Sequence, residues 1–223
     1  MDKIGIVVTA GGSGKRMGSQ LPKQFIEVGG SPILLRTLSK LSAIANSELV
    51  LVLPNEWIAY WTKLCKQHNC TVKHKVVEGG EERFFSVRNG IEALGEVDYV
   101  AIHDGVRPFV SGELFDRIFQ AAKEFGAAIP AIKPVDSMRE ILESGENKIA
   151  DRNRFMMVQT PQIFRSEIIR RAYEQPYSAR FTDDASVVES CGHKITLVEG
   201  ERQNIKITTE DDLLLAEFII TRQ

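Results

Sequence analysis

Ile4-Gly-Ile-Val-Val-Thr-Ala-Gly-Gly-Ser-Gly-Lys-Arg-Met-Gly18 opens as one kind of structure and closes as another. Residues 4–10 are short, β-branched and apolar, the composition of a parallel strand buried on both faces. The glycines that follow let successive backbone N–H groups turn towards an anion, as a phosphate loop requires. Two familiar loops fail on spacing. A Walker A loop needs glycine where Thr9 stands and Ser or Thr where Arg16 stands. A dinucleotide fingerprint starting at Gly12 needs glycine at Met17, one residue before Gly18. The loop is therefore a phosphate cradle of another kind, or a glycine-rich turn and nothing more.

Further along, strand and helix signals alternate. Pro32 suits the first turn of a helix running to about residue 44. Strands are expected over 48–54, 71–77, 97–103 and 127–132, with helices over 57–68, 84–94 and 114–125. Such alternation implies βαβ units, a mainly parallel sheet with helices on both faces, and ligands at the carboxyl ends of the strands. The alternation lapses at residues 134–151, where Ser144-Gly-Glu-Asn147 marks the turn of a polar β-hairpin arm. Such an arm is marginally stable alone and is expected to pack on a second subunit. A strand near Met156, a helix from Ser166, a helix capped around Thr182-Asp183 and a last helix to residue 220 complete the chain. Thr208 and Asp211 carry capping-box spacing for that last helix.

The 223 residues fit one domain, with 43% hydrophobic and 26% charged residues. A formal net charge of −2 argues against bulk nucleic-acid binding. Three cysteines without C-x-x-C spacing give neither a disulfide framework nor a zinc site, and point to a reducing cytoplasm. The first apolar run is too short for a signal peptide or a membrane span, so no membrane partner is expected.

Leu21-Pro-Lys-Gln-Phe25 follows the glycine loop on the same side of the sheet. Proline fixes the backbone just before Lys23, which with Arg16 makes a two-cation clamp suited to charge building on a phosphate. Gly-Gly-Ser-Gly-Lys-Arg-Met followed by Pro-Lys-Gln-Phe resembles the signature of the 2-C-methyl-D-erythritol 4-phosphate cytidylyltransferase family. Further matches are Gly79-Gly-Glu-Glu-Arg-Phe-Phe-Ser-Val87, His103-Asp-Gly-Val-Arg-Pro108, Gln159-Thr-Pro-Gln162, Thr182-Asp-Asp-Ala-Ser186 and Asn204-Ile-Lys-Ile-Thr208.

The resemblance implies a Rossmann-like α/β three-layer sandwich in a single domain, residues 1–223, with residues 134–151 as a dimerisation arm. It implies transfer of CMP from CTP to a sugar-alcohol phosphate with Mg²⁺ or another divalent cation, in a homodimer. Arg16 and Lys23 match the pair that stabilises the transition state at the α-phosphate. Arg152 and Lys206 match the pair that positions the substrate phosphate. Ala10, Gly11, Gly12, Gly14, Gly80, Glu81, Ser86, Asp104 and Gly105 match nucleotide contacts. Asp104, Arg107, Ser137, Arg152 and Lys206 match substrate contacts. Asp104 is also a candidate for the metal or its water shell, most of the metal's ligands being CTP phosphates. His103 is expected to be structural.

The chain departs from the family at Gly105 and Val106, where alanines are usual, and at Asp136-Ser-Met-Arg139, where Asp-Thr-x-Lys is frequent. Three alternatives share parts of this pattern: a ribitol-5-phosphate cytidylyltransferase, a sugar-phosphate nucleotidyltransferase using UTP or GTP, and a non-catalytic nucleotide-binding protein.

Overall fold

A computed structural model describes residues 2–12 and 21–222. Strand β1 (Ile4–Thr9) sits at the centre of the main sheet. Its alternate residues Ile4, Ile6 and Val8 enter one apolar cluster and Val7 enters another, the two-residue period of a strand covered on both faces. After Lys23–Phe25, a short 3₁₀ turn, come the small hairpin β2 (Glu27–Val28) and β3 (Ser31–Pro32) and then α1 (Ile33–Leu41). Pro32 is the residue before α1 rather than its first turn, and α1 ends at Leu41, short of the expected residue 44.

The chain continues through β4 (Ser47–Leu53), α2 (Asn55–Gln67), β5 (Lys75–Glu78), α3 (Arg83–Ala93), β6 (Tyr99–Asp104), α4 (Gly112–Phe125) and β7 (Ala127–Ile132). Strand β5 begins four residues later than expected, at Lys75 rather than residue 71. The arm is β8 (Met138–Ile141) and β9 (Asn147–Ala150), antiparallel, with Gly145 at a φ of +84° in its turn. The last part holds β10 (Met157–Val158), β11 (Gln162–Arg165), α5 (Ser166–Ala172), α6 (Asp184–Glu189), β12 (Thr196–Glu199) and α7 (Glu210–Ile220).

Strands β5, β4, β1 and β6 run parallel, and β1 is flanked by both β4 and β6. Strand β11, which sequence patterning did not disclose, inserts antiparallel between β6 and β7. Strand β10 pairs antiparallel with the far end of β7, and β12 pairs parallel with β7. The expected mainly parallel sheet thus holds two antiparallel strands, β11 within it and β10 beside β7.

Three layers result. Leu34, Leu35, Leu38 and Leu41 of α1, Trp61 and Leu64 of α2, and Leu114, Phe115 and Ile118 of α4 cover one face. Phe84, Val87 and Ile91 of α3, Ile169 and Ala172 of α5, and Val187 and Val188 of α6 cover the other. Burying each of these Leu, Ile, Val and Phe side chains contributes roughly 1.5–3 kcal/mol. Gly90 lets α3 lie close on the sheet, since a Cβ there would stand 2.4 Å from Val7 Cγ1. A third cluster, with Val106, Phe109, Ile207 and Ile219, docks α7 beside the end of β6. The capping box of α7 is Thr209 with Asp212, one residue beyond the expected pair. No helix among the described residues is long and apolar enough to cross a membrane.

Candidate active site

The carboxyl ends of β1, β4, β5 and β6 open into a cavity of about 330 Å³. Ala10, Gly11 and Gly12 follow β1 into it. Lys23 and Gln24 come from the 3₁₀ turn, Gly80, Glu81 and Ser86 from the β5–α3 connection, Asp104 from the end of β6, and Lys206 from the segment before α7. These residues lie up to about 200 positions apart in the chain (206 − 9), and the sheet brings them together. Gly14 and Arg16 lie outside the described residues.

Each backbone turn at the rim has a local cause. Ala10 donates to the carbonyl of Val52 and its own carbonyl accepts from the buried Gln24 amide at 2.7 Å, so the loop leaves β1 in a fixed direction. Gly80 donates to Ser86 Oγ at 3.1 Å, and a Cβ at Gly80 would stand 2.3 Å from Phe85 Cβ, so only glycine fits. Ser86 is therefore a buried polar brace of the cavity wall, not merely part of an apolar helix start. Below it, Arg83 makes two bonds to the fully buried Asp184, at 2.9 and 2.6 Å, and Tyr173 donates a third at 2.6 Å.

Asp104 is the electrostatic centre. Its Oδ2 lies 3.1 Å from both Lys206 Nζ and Arg107 Nε. Burial alone would raise this carboxyl, but the charges of Lys206, Arg83 and Arg107 outweigh it and hold it well below the usual carboxylate range. Asp104 therefore stays ionised at neutral pH. Beside it, His103 is fully buried, bonded to Thr160 Oγ1 and to the carbonyl of Arg107. Burial lowers its pKa from 6.5 to about 4, so it is neutral and structural, as expected.

Arg107 and Gly105 differ from expectation. Arg107 is 9% exposed, does not line the cavity, and spends its guanidinium on Asp104 and on the carbonyl of Asn204 at 2.8 Å. It braces the site from behind. Gly105 also lies off the cavity, with its N–H bonded to the carbonyl of Thr9 at 2.8 Å. Ser137 and Arg152 are exposed on and beside the arm, and neither lines this cavity.

Among the described residues no three His, Cys, Asp or Glu side chains group to hold a metal. The cavity offers one buried carboxylate, Asp104, already bridged to two cations on one oxygen. That donor set fits a divalent ion carried in on phosphate oxygens better than one caged by protein.

The sequence matches the profile described as IspD, 2-C-methyl-D-erythritol 4-phosphate cytidylyltransferase, over residues 4–222. The chain belongs to this family. A relative of that name from Bacteroides fragilis is 47% identical over 215 residues, covering 96% of this chain and 98% of the relative. One from Porphyromonas gingivalis is 45% identical over 216 residues, 96% of each chain. The crystal structure of 4-diphosphocytidyl-2C-methyl-D-erythritol synthase from Anaerococcus prevotii superposes with a TM-score of 0.84 at 30% identity, over 99% of this chain and 97% of that one.

Within the cytidylyltransferase family, glycine at position 105 has a packing reason here. A Cβ would meet Leu34 Cδ1 at 2.9 Å and Ala10 Cβ at 3.0 Å. Gln159-Thr-Pro-Gln162 and Thr182-Asp-Asp-Ala-Ser186 resemble family motifs, but the motifs alone assign these residues no role. Gln162 in fact bonds both Asp183 Oδ2 and the N–H of Ala185, and Asp183 caps α6. Gln24 of Pro-Lys-Gln-Phe and Arg83 of Gly-Gly-Glu-Glu-Arg likewise hold contacts that their motifs do not announce. Only the fold shows what they touch.

Proposed function

We propose that this protein transfers CMP from CTP to the phosphate of 2-C-methyl-D-erythritol 4-phosphate, releasing pyrophosphate. The observation that carries this is the cavity itself: a glycine loop, Lys23, the Gly80–Ser86 brace and Lys206 beside Asp104 meet in one pocket at the strand ends. A phosphate oxygen of the acceptor attacks the α-phosphorus of CTP in line. A new P–O bond forms there, the bond from the α-phosphorus to the bridging oxygen breaks, and its electron pair leaves with pyrophosphate. The attacking oxygen is already anionic near neutrality, so no general base is required and positioning with charge neutralisation does the work.

Lys23 and Arg16 serve the α-phosphate, where charge accumulates. Lys206 and Arg152 hold the acceptor phosphate. Ala10, Gly11, Gly12 and Gly14 cradle phosphates, and Gly80, Glu81 and Ser86 take the cytidine end. When bound, a divalent cation such as Mg²⁺ neutralises the triphosphate, with Asp104 facing it or its water shell. Asp104 also orients Lys206 through their 3.1 Å contact.

The functional unit is a homodimer in the cytoplasm. The arm leaves Ile141 71% and Ile149 82% exposed, and Val135, Phe155 and Met157 are exposed beside it. Apolar surface of this kind is what an interface covers. Ser137 and Arg152, off their own chain's cavity, complete the site of the other copy.

The test is pyrophosphate release with CTP and Mg²⁺, offering 2-C-methyl-D-erythritol 4-phosphate and D-ribitol 5-phosphate in parallel. Strong preference for the erythritol phosphate is expected. Preference for ribitol phosphate would keep the chemistry and change the acceptor, and turnover with neither would overturn the assignment.

A further inference from the structure

Lys206 has no helix or strand to hold it. It sits in a strap, residues 200–209, that leaves β12 and crosses the strand ends before α7 begins. A lysine on irregular backbone is a poor positioning device unless something fixes that backbone.

Gln159 and Asn204 fix it. The Gln159 side chain is buried and imitates a strand neighbour: its Oε1 accepts from the N–H of Glu201 at 3.1 Å, and its Nε2 donates to the Glu201 carbonyl at 2.8 Å and the Asn204 carbonyl at 3.3 Å. Asn204 is fully buried and donates from Nδ2 to the carbonyl of Thr160 at 2.8 Å. Its own carbonyl also takes Arg107 Nη1 at 2.8 Å. On the other side of Lys206, Ile207 is fully buried and its N–H bonds the carbonyl of Val106 at 3.0 Å. Lys206 is thus pinned two residues before and one residue after. Gly200 permits the approach, since a Cβ there would stand 2.4 Å from Gln159 Oε1.

Stability alone does not explain this choice of residues. Among the described residues Asn204 Oδ1 is buried with no hydrogen-bond partner, a cost that an apolar side chain would avoid.

We propose that Gln159 and Asn204 are positioning residues for Lys206: they set the path of the strap, and so where the ammonium stands when the acceptor phosphate arrives. This rests on the function proposed above, because Lys206 holds the acceptor only if that transfer is the reaction. Neither residue touches substrate; both act through Lys206.

Gln159→Met keeps the volume and removes all three bonds. Its KM for 2-C-methyl-D-erythritol 4-phosphate is expected to rise by about tenfold or more, because a displacement of about an ångström is costly at a positioned group. Its KM for CTP should stay within about twofold of the parent. In a Lys206→Ala background the same change should add almost nothing, since the group it positions is gone. Additive effects of the two substitutions, or equal rises in both KM values, would overturn the proposal in favour of a purely structural role. If Gln159→Met does not fold, Asn204→Ser carries the same cycle.

A second readout is independent of turnover. Lysines are ¹³C-methylated, and the Lys206 resonance is assigned by its loss in Lys206→Ala. That resonance should shift in Gln159→Met and not in a variant of the exposed Lys63. An unmoved resonance counts against the positioning role, whereas no turnover by the unmodified protein counts against the function.

Discussion

Lys23, Asp184 and His103 show three different jobs for a charged or titratable side chain at one site. Lys23 lines the cavity from a 3₁₀ turn, with Pro22 before it at a φ of −55°. Lys23→Ala is expected to lower turnover by about a hundredfold or more while weakening CTP binding modestly, as loss of a transition-state donor does. Single-turnover rates beside calorimetric CTP titration check this; a loss below about tenfold would remove the assignment. Asp184 instead neutralises Arg83 under the cavity wall. Asp184→Asn leaves the guanidinium short of its counter-charge, and a destabilisation of about 3 kcal/mol is expected. That is the lower end for a buried pair, because Arg83 keeps 34% of its side chain in solvent. The urea midpoint measures it. His103 contributes through neutrality. In the unfolded chain it takes a proton near 6.5, and in the folded chain not until about 4. Between those values the unfolded state binds more protons, so this contribution is complete above about pH 6.5 and is lost as pH falls towards 4. The Asp104 carboxyl, held low, acts in the same direction further down the scale. The thermal midpoint of the ligand-free protein should therefore drop from about pH 7 to about pH 4.5, and less steeply in His103→Gln. Equal slopes would assign the drop to other groups.

Elements differ in how much they owe to local sequence. Helix α4 is announced and closed locally: Ser111 caps Leu114 at 2.9 Å, and Gly126 ends it at a φ of +89°. Helix α6 has only six residues and depends on its Asp183–Ser186 capping box, on Gln162 and on the Arg83–Asp184 pair. Strand β11 was illegible because Gln162-Ile-Phe-Arg165 is too short to show a period; it exists because β6 and β7 both leave an edge for it. The arm was legible, since turn residues separate two short segments of matching length. The role proposed for it belongs to assembly. Deletion within residues 134–151 is expected to give a folded monomer with little turnover, as read by light scattering and pyrophosphate release. A fully active monomer would remove the shared site.

At the scale of the molecule, the sheet converts distance in sequence into proximity. Asp104 meets Lys206 from 102 residues away (206 − 104), and Arg83 meets Asp184 from 101. The βαβ alternation, the glycine loop after β1 and the family motifs were open to inspection, because strand period, turn chemistry and local spacing are properties of neighbouring residues. From them came the layered α/β fold, the end of the sheet where the cavity opens, and half of the residues that line it. Tertiary structure alone decided the rest. Arg107 faces Asp104 and Asn204 instead of the cavity, Gly105 spends its N–H on Thr9, and Gln159 holds the strap that carries Lys206. The physical reason is the same in each case. A side chain's partners are set by which strands and straps pass beside it, and those neighbours are fixed by burying both faces of the sheet at once.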